Sequence, residues 1–569
     1  MEVYTDINNP EYIPGTYSIY TSAIIQQRHN QTIQKKRRKN NINIKNSNFE
    51  DQRYLSINRN YKYDSKKPLN SIPLLKTRYG VILLPQPTNS INDPKNWSIL
   101  RKSIHFLILM LITSFTAAVS NDASAPQDSI NELTNISYDA LNNSAGLLFI
   151  SIALSSWLYG PLYSLCGCRI TYILGIFFSL IGSIIYGKIK TTGFVFGSQI
   201  LIGFAQGSTE AQIQLSLSSI FYRHQFGSVI TIYILSFSMG TYIGPLLANY
   251  ISSSKDFRWV GWSGAISSGI ILVIVLLFLE EDKFKTTTTT HNNNDNHLID
   301  VKSNESLGYS DEKWTIRKRL TILKIQDLNS NFIKQYFKLL KFNLNCFWFP
   351  PVLFSGLIWG LQDAILTFYL TTEDTELYDP PFNYGDDKVA LMNIPCLIGS
   401  IIGCIYAGSL TDYFILWMAR KNNGIVESEY RLYFAFLSGI IGSVGLLMFA
   451  IGISKNLNWR VYYIGLGLIG YLFSSAGNIA MLYIIDTYDQ LILECLIAVS
   501  VINNLIGCIF TFACSPWLNK SGTQNTYIVL AVLNLFIMFL AAPYIKWGKT
   551  WRKWTKNYYL QMIKVREGD

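Results

Sequence analysis

Long apolar runs constrain this chain more than any other feature. "HFLILMLITSFTAAVS" (105–120), "ISIALSSWLYGPLYSL" (150–165) and "ITYILGIFFSLIGSIIYG" (170–187) are three of them. A hydrocarbon core of about 30 Å is crossed by roughly 17–25 apolar residues in a helix. Twelve stretches meet that length, at 103–125, 145–163, 170–188, 194–219, 228–252, 262–279, 350–370, 388–410, 432–453, 460–485, 491–514 and 526–545. The expected fold is therefore an all-α membrane protein. Charged residues make up only 15% of the 569 positions, which is low for a soluble protein.

The net charge of +11 raises the question of nucleic acid, and its location answers it. Residues 1–102 carry 17 Lys/Arg against 7 Asp/Glu, with "KKRRK" at 35–39, and the C-terminal stretch from 546 is basic too. The segment after the first span, "NDASAPQDSINELTNISYDALNN", holds four acids and no base. Positive charge gathers on the cytoplasmic side of membrane proteins. Both termini are thus expected in the cytoplasm, with the basic tails near anionic lipid rather than nucleic acid. Residues 1–102 read as a disordered basic tail and 103–279 as a first six-helix bundle. A cytoplasmic linker (280–346), a second bundle (347–545) and a basic tail (546–569) follow. "GPLYS" (160–164) and "GSLTD" (408–412) follow the second span of each half, the mark of an internal repeat.

Several stretches resemble the major facilitator superfamily. Gly160, Gly167 and Arg169 keep the register of its loop motif between spans 2 and 3, although Ser164 stands where that motif has Asp. Gly244 and Pro245 keep the Gly-Pro of its antiporter motif, while Ala248 and Asn249 replace the Gly pair. "LWMARKNNGIVESEYRL" (416–432) resembles a loop of the fungal drug/proton-antiporter-type branch. "NDPKNWS", "FRWVGW", "WGLQDAILTFYLTTE" and "SGTQNTYI" resemble plasma-membrane permeases for polyamines and related cations such as histidinol. The resemblance implies twelve spans in two six-helix pseudo-repeats, with spans 1, 4, 7 and 10 around a central cavity. It also implies that Gly160, Gly167, Arg169, Gly408, Asp412 and Arg420 help latch the halves together.

The candidate chemistry begins in "GFAQGSTEAQIQLSLSS" (203–219). Gln199, Gln206, Glu210 and Gln214 fall three or four residues apart or in multiples of that spacing, on one helical face. An intramembrane carboxylate is costly and usually lines a pathway. Asp363 in span 7 lies at a similar depth, roughly 20 Å from the cytoplasmic end, and Asp122 in span 1 roughly 5–10 Å further out. With the resemblance placing all three on the cavity, a multiply charged cation is the expected substrate, with Gln206 and Gln214 as further ligands. Trp359, Tyr471 and Asn478 (Ser474 between the last two) are candidates beside it, since a ring face attracts an alkylammonium by about 0.5–2 kcal/mol. Core packing explains any one of these rings equally well. Glu210 or Asp363 would also carry a coupling proton.

The acidic loop "TTEDTELYDPPFNYGDDK" (371–388) is a solvated loop or a steering device for cations. Asn135, Asn142 and Asn519 head glycosylation sequons in expected outer loops. The eight cysteines show no disulfide or metal spacing, and no enzyme motif stands out. The expectation is a monomeric, multi-pass plasma-membrane importer of polyamine-like cations, coupled to protons and using no cofactor. A multidrug exporter of the same fold and a sensor that does not transport remain the alternatives.

Overall fold

The computed structural model describes residues 12–18, 90, 92–122, 126–283, 331–378, 380–422 and 424–567. The basic run at 35–39 and most of the polar insert lie outside them. The first half comprises α1 (Ile99–Asp122), α2 (Gln127–Thr134), α3 (Tyr138–Cys166), α4 (Cys168–Tyr186), α5 (Thr192–Glu210), α6 (Gln212–Ile220), α7 (Phe226–Ser254) and α8 (Arg258–Phe278). After α9 (Phe332–Asn343) come α10 (Pro350–Glu376), α11 (Asp386–Leu391), α12 (Asn393–Cys404) and α13 (Thr411–Lys421). The second half ends with α14 (Tyr433–Ser454), α15 (Trp459–Thr487), α16 (Ile492–Phe539) and α17 (Ala541–Glu567). Among the described residues, ten helices are long and apolar enough to cross a membrane.

Two departures from the expected spans matter. The stretch expected as one span over 194–219 is two helices, α5 and α6, which meet at Ala211 immediately after Glu210. The loop expected between 514 and 526 is helical instead, and α16 runs through it with Gly522 as a non-helical residue (φ 71°, ψ 159°).

Between helices in lipid, close approach depends on small residues. A Cβ on Gly203 would lie 2.6 Å from Ser151 Cβ, and one on Gly207 would lie 2.0 Å from Ser155 Oγ. The serines of α3 use that proximity: Ser155 and Ser156 donate to the carbonyls of Gly203 and Gly207 at 3.2 and 3.1 Å. The second half repeats the device between α12 and α15. A Cβ on Gly399 would meet the Gly467 carbonyl at 1.8 Å, Ser400 donates to Gly470 O at 3.0 Å, and Ser474 donates to Ser400 O at 2.8 Å. The same helix pair in each half is thus joined by the same chemistry, as an internal repeat requires.

Both chain ends meet on one face. Within the tail expected to be disordered, β1 (Thr16–Ser18) pairs antiparallel with β2 (Ile425–Glu427), matching Thr16 to Glu427 and Tyr17 to Val426. The basic C-terminal stretch is not a loose tail but the helix α17. Its fully buried Arg552 ion-pairs with Glu427 and Glu429 at 3.0 and 2.6 Å and donates to Pro14 O.

Candidate functional site

The site begins with the break in the fourth span. Where α5 stops, the carbonyls of Thr209 and Glu210 lack helical partners, and a membrane offers no water to replace them. Tyr233 of α7 donates to both, at 3.3 and 3.2 Å, and Gln214 Nε2 donates to the Glu210 carbonyl at 2.7 Å. A broken helix with satisfied backbone at membrane depth is a common setting for transporter sites.

The Glu210 carboxylate crosses to the second half. It accepts a hydrogen bond from Ser500 Oγ and another from Asn504 Nδ2 at 2.9 Å, both on α16. Ser500 Oγ lies 2.9 Å from Ser156 Oγ of α3, so one polar cluster joins α3, α5 and α16. Hydrogen bonds to a charged group contribute about 1.5–3 kcal/mol each. Placing a carboxylate at a span's centre costs about 2.5–3.5 kcal/mol on insertion scales. Two such bonds therefore offset the cost without a basic partner. Asp363 of α10 approaches from the second half, close enough for the charge of Glu210 to act on it. Each acid is 8% exposed, and among the described residues neither forms an ion pair with Lys or Arg.

The remaining expected ligands divide. Gln214 belongs to the site, since its Nε2 also reaches Met481 Sδ of α15 at 3.5 Å. Trp359 lies one turn before Asp363 but packs in an aromatic cluster, 5.0 Å from Phe473 and 5.9 Å from Phe237 between ring centroids. Gln206 turns toward α1, where Ser120 Oγ donates to its Oε1 at 3.5 Å. Tyr471 packs against Tyr406 at 5.6 Å, and Asn478 bonds Ser474 O at 2.9 Å and faces Cys404 of α12. These last two fill the interior of the second half, on the side away from the carboxylates.

Asp122 corrects the three-acid cavity. It borders a small recess with Val119, Ser183, Tyr186, Ile202, Val260, Gly261 and Gly264, all from the first half. Its Oδ1 has no hydrogen-bond partner, and a Cβ on Gly244 would approach it to 2.5 Å. Helix spacing fixed its depth, but the rotation of α1 turned it away from Asp363. Gly240 and Gly244 together let α7 lie against α1, and a Cβ on Gly240 would meet Ser114 O at 2.0 Å. Pro245 continues that helix without ending it.

The face carrying both chain ends is closed. Gly160 admits Ile497 of α16, and Gly408 admits Thr231 of α7, with Cβ clashes of 2.3 and 1.8 Å if either carried a side chain. Asp412 lies against Gly227 in the first turn of α7, where a carboxylate suits the helix N-terminus. Its partner is Arg431, whose Nη1 lies 3.1 Å from Asp412 Oδ1 and whose Nε lies 2.5 Å from Asp486 Oδ2. Arg420, expected to share the latch, is exposed on α13 instead, and Arg431 (quoted in the loop but not singled out) does that work. Arg223, between α6 and α7, adds a second tie between the halves: Nη1 to Asp489 Oδ2 at 3.1 Å and Nη2 to Asp486 O at 2.7 Å.

Ser164, where the motif acid is missing, accepts through its carbonyl from Lys283 Nζ at 2.5 Å. The acid serving that loop comes from beyond α8. Glu281 accepts from the amides of Cys168 and Arg169 at 3.0 and 3.2 Å, beside Gly167 at φ +104°. Burial and neighbouring Asp282 push its carboxyl up, against those amide bonds. Buried Arg169 donates to Leu276 O at 2.5 Å. Cys168, Glu281 and Asp282 sit within ligand distance of one another, but Glu281 is held by these amides and Asp282 by Tyr163 and Ser219 hydroxyls at 3.3 and 3.2 Å. Of the sequons, Asn135 and Asn519 are exposed, whereas Asn142 lies within α3 and donates to Ser515 at 2.7 Å.

Sequence reading missed Ser500, Asn503 and Asn504. The signal was "SVINN" (500–504), three polar side chains at helical spacing inside an apolar span, the same pattern that singled out Glu210.

A helical membrane protein with uncompensated carboxylates buried between two similar halves is a multi-pass transporter for a small molecule. The chain belongs to the major facilitator superfamily, whose family model matches residues 103–492. Protein HOL1 of Saccharomyces cerevisiae is 42% identical over 624 aligned positions, covering 100% of both chains. An uncharacterized MFS-type transporter of Schizosaccharomyces pombe is 40% identical over 532, covering 87% of this chain and 92% of its own. A crystal structure of the human organic anion transporter MFSD10 aligns with a TM-score of 0.46 at 14% identity, covering 78% of this chain and 100% of that one. Family and relatives point to a transporter rather than an enzyme.

Proposed function

We propose that this transporter is a proton-coupled plasma-membrane carrier that imports polyamines and related organic cations by alternating access. The observation that carries the reading is the pair Glu210 and Asp363, buried from opposite halves with no basic partner. Such a site favours a cation with more than one charge. The permease-like motifs at 92–98, 257–262 and 359–373 support the substrate class.

Coupling follows from the cluster around Glu210. Ionised, Glu210 takes the single Ser500 proton, leaving Ser156 to donate toward Ser500. Protonated, it donates to Ser500, which turns its own proton to Ser156, and Ser156 turns to the Gly207 carbonyl. One proton thus reverses a chain of hydroxyls linking α3, α5 and α16. A substrate ammonium competing for the same carboxylate couples the two fluxes.

The architecture we propose has twelve spans, counting α5 with α6 as one and dividing α16 near Gly522. Both ends are cytoplasmic and joined through Arg552 and Pro14, the carrier is a monomer, and Asn135 and Asn519 are the outer glycosylation sites. A second reading, proton-driven export, draws on the close α1–α7 packing at Gly240 and Gly244, where the antiporter-like Gly-Pro lies.

The test is uptake of labelled spermidine in transport-deficient yeast expressing the full chain, with and without a proton uncoupler. We expect uptake that the uncoupler abolishes. No uptake despite surface expression sinks the importer reading, and proton-driven efflux from preloaded cells installs the exporter.

A further inference from the structure

Ser500, Asn503 and Asn504 lie three and four residues apart on one face of α16, between the two acids. Ser500 and Asn504 are engaged by Glu210. Asn503 is not. It is 0% exposed and neighbours Asp363, yet neither its Oδ1 nor its Nδ2 has a hydrogen-bond partner. The backbone there is pressed against α10, where a Cβ on Gly360 would lie 3.1 Å from the Asn503 carbonyl oxygen. The residue cannot shift far to satisfy itself. A carboxamide buried with both groups unpaired is an unusual arrangement that calls for an explanation.

Resting on the polyamine-carrier reading, we propose that Asn503 is a substrate ligand of this site. Its Nδ2 donates to the Asp363 carboxylate, and its Oδ1 accepts an N–H from the ammonium seated between Asp363 and Glu210. A primary ammonium brings three N–H donors, and the two carboxylates and one amide oxygen supply three acceptors. The amide also selects. A quaternary ammonium has no N–H, leaves Asn503 unpaired, and is rejected for that reason.

The experiment measures spermidine KM and inhibition by tetraethylammonium for the full chain, Asn503→Leu and Asn503→Asp at matched surface level. We expect Asn503→Leu to raise KM at least about ten-fold and to lose discrimination against tetraethylammonium. Asn503→Asp keeps the acceptor and keeps the discrimination. An unchanged KM and selectivity in Asn503→Leu overturns the inference, as does equal loss of surface protein in both variants. Absence of uptake by the unaltered chain is separately visible and sinks the carrier reading itself.

A different set of contacts carries a second inference, at residues 12–18. Thr16 Oγ1 donates to Glu427 Oε2 at 2.6 Å, Ser428 N donates to Gly15 O at 3.2 Å, and Arg552 holds Pro14 and Thr16. Gly15 takes φ +76°, and a Cβ there would lie 2.9 Å from Thr487 Cα, at the end of α15. The segment is therefore fixed to the second half. Its Tyr17 ring, however, lies 3.8 Å beneath the guanidinium of Arg223, which belongs to the first half and reaches Asp489 and the Asp486 carbonyl.

We infer that residues 12–18 are a strap that holds the terminal face closed by covering the Arg223 tie. Opening that face separates Arg223 from both Asp489 and Tyr17, so the strap biases the carrier toward the state open on the other side. Hydrogen exchange on purified full-length protein tests this, comparing the unaltered chain with Tyr17→Ala and a deletion of 2–18. Faster exchange at 223–226 and 486–491 in both variants is expected. Unchanged exchange there in Tyr17→Ala, which retains strand pairing and so remains decisive if the deletion misfolds, overturns it.

Discussion

Asn504 of α16 donates its Nδ2 hydrogen to the Glu210 carboxylate at 2.9 Å and so joins the second half of the chain to the first at the centre of the membrane. The closed state of the terminal face is held at the same acid on which the proposed transport depends. Removing the charge therefore affects both conformation and binding.

Glu210→Gln keeps the size and loses the proton chemistry. We expect spermidine uptake to fall at least about 100-fold, with surface level and thermal stability near those of the unaltered chain, because an amide also accepts from Ser500 and Asn504. Normal uptake by this variant returns Glu210 to a structural role.

Asp363→Asn removes the second charge while leaving Glu210 and its partners in place. Spermidine KM should rise at least about ten-fold, whereas a monoamine, which needs one carboxylate, loses less. Competition between the two amines in the same uptake assay reads the difference. Equal losses for both exclude a division of the polycation between the two acids.

Arg431 and Arg420 make a matched pair. Arg431→Ala strands buried Asp486, a change that costs about 3–5 kcal/mol when one partner of a buried pair is removed. Its melting temperature and surface level should drop. Arg420→Ala alters an exposed side chain, and about 0.5 kcal/mol bounds the expected effect. A thermal-shift assay on both proteins settles the contrast, which reverses if Arg420 is the true latch.

Gly408→Val places a branched side chain where a Cβ alone would lie 1.8 Å from Thr231 Oγ1. The terminal face cannot then close. Uptake should be lost while surface protein persists, and an impermeant maleimide applied to inside-out vesicles should label a cysteine introduced at Thr231 of the variant faster than in the Gly408 background. Equal labelling rates would falsify the closure role of this contact.

Glu427 supplies a pH dependence outside the membrane. Burial pushes its carboxyl up, but Arg552, Lys549 and the Thr16 hydroxyl outweigh burial and hold it below the usual 4.5. A carboxyl depressed on folding stabilises above its unfolded value and loses that contribution as pH falls through the folded one. Protection of residues 12–18 from hydrogen exchange should hold from pH 7 to about 5 and fade below about 4.5. Fading already at pH 6 would point to another group.

The contrast between legible and illegible residues has a physical basis. Glu210 and Asp363 were legible because a carboxylate inside an apolar helix is anomalous in sequence alone. Ser500, Asn503 and Asn504 carried the same helical spacing without a charge, and passed as ordinary polar residues. Asp122 was placed at the right depth on the wrong side, since 1.5 Å per residue gives height and nothing in one helix gives its rotation. Arg420 and Arg431 lie in one quoted loop, and only the fold of α13 and the turn after β2 decides which of them points at Asp412.

By itself, the sequence determined that this chain is a helical membrane protein in two related halves with acids inside. Length, hydropathy and charge are local quantities, and a bilayer turns them directly into spans. The tertiary structure alone decided which polar groups meet: Glu210 with Ser500 and Asn504, Arg431 with Asp412 and Asp486, and residues 12–18 with α17. Those partners lie up to 538 positions apart and are brought together by helix rotation and close glycine packing, which no single segment encodes.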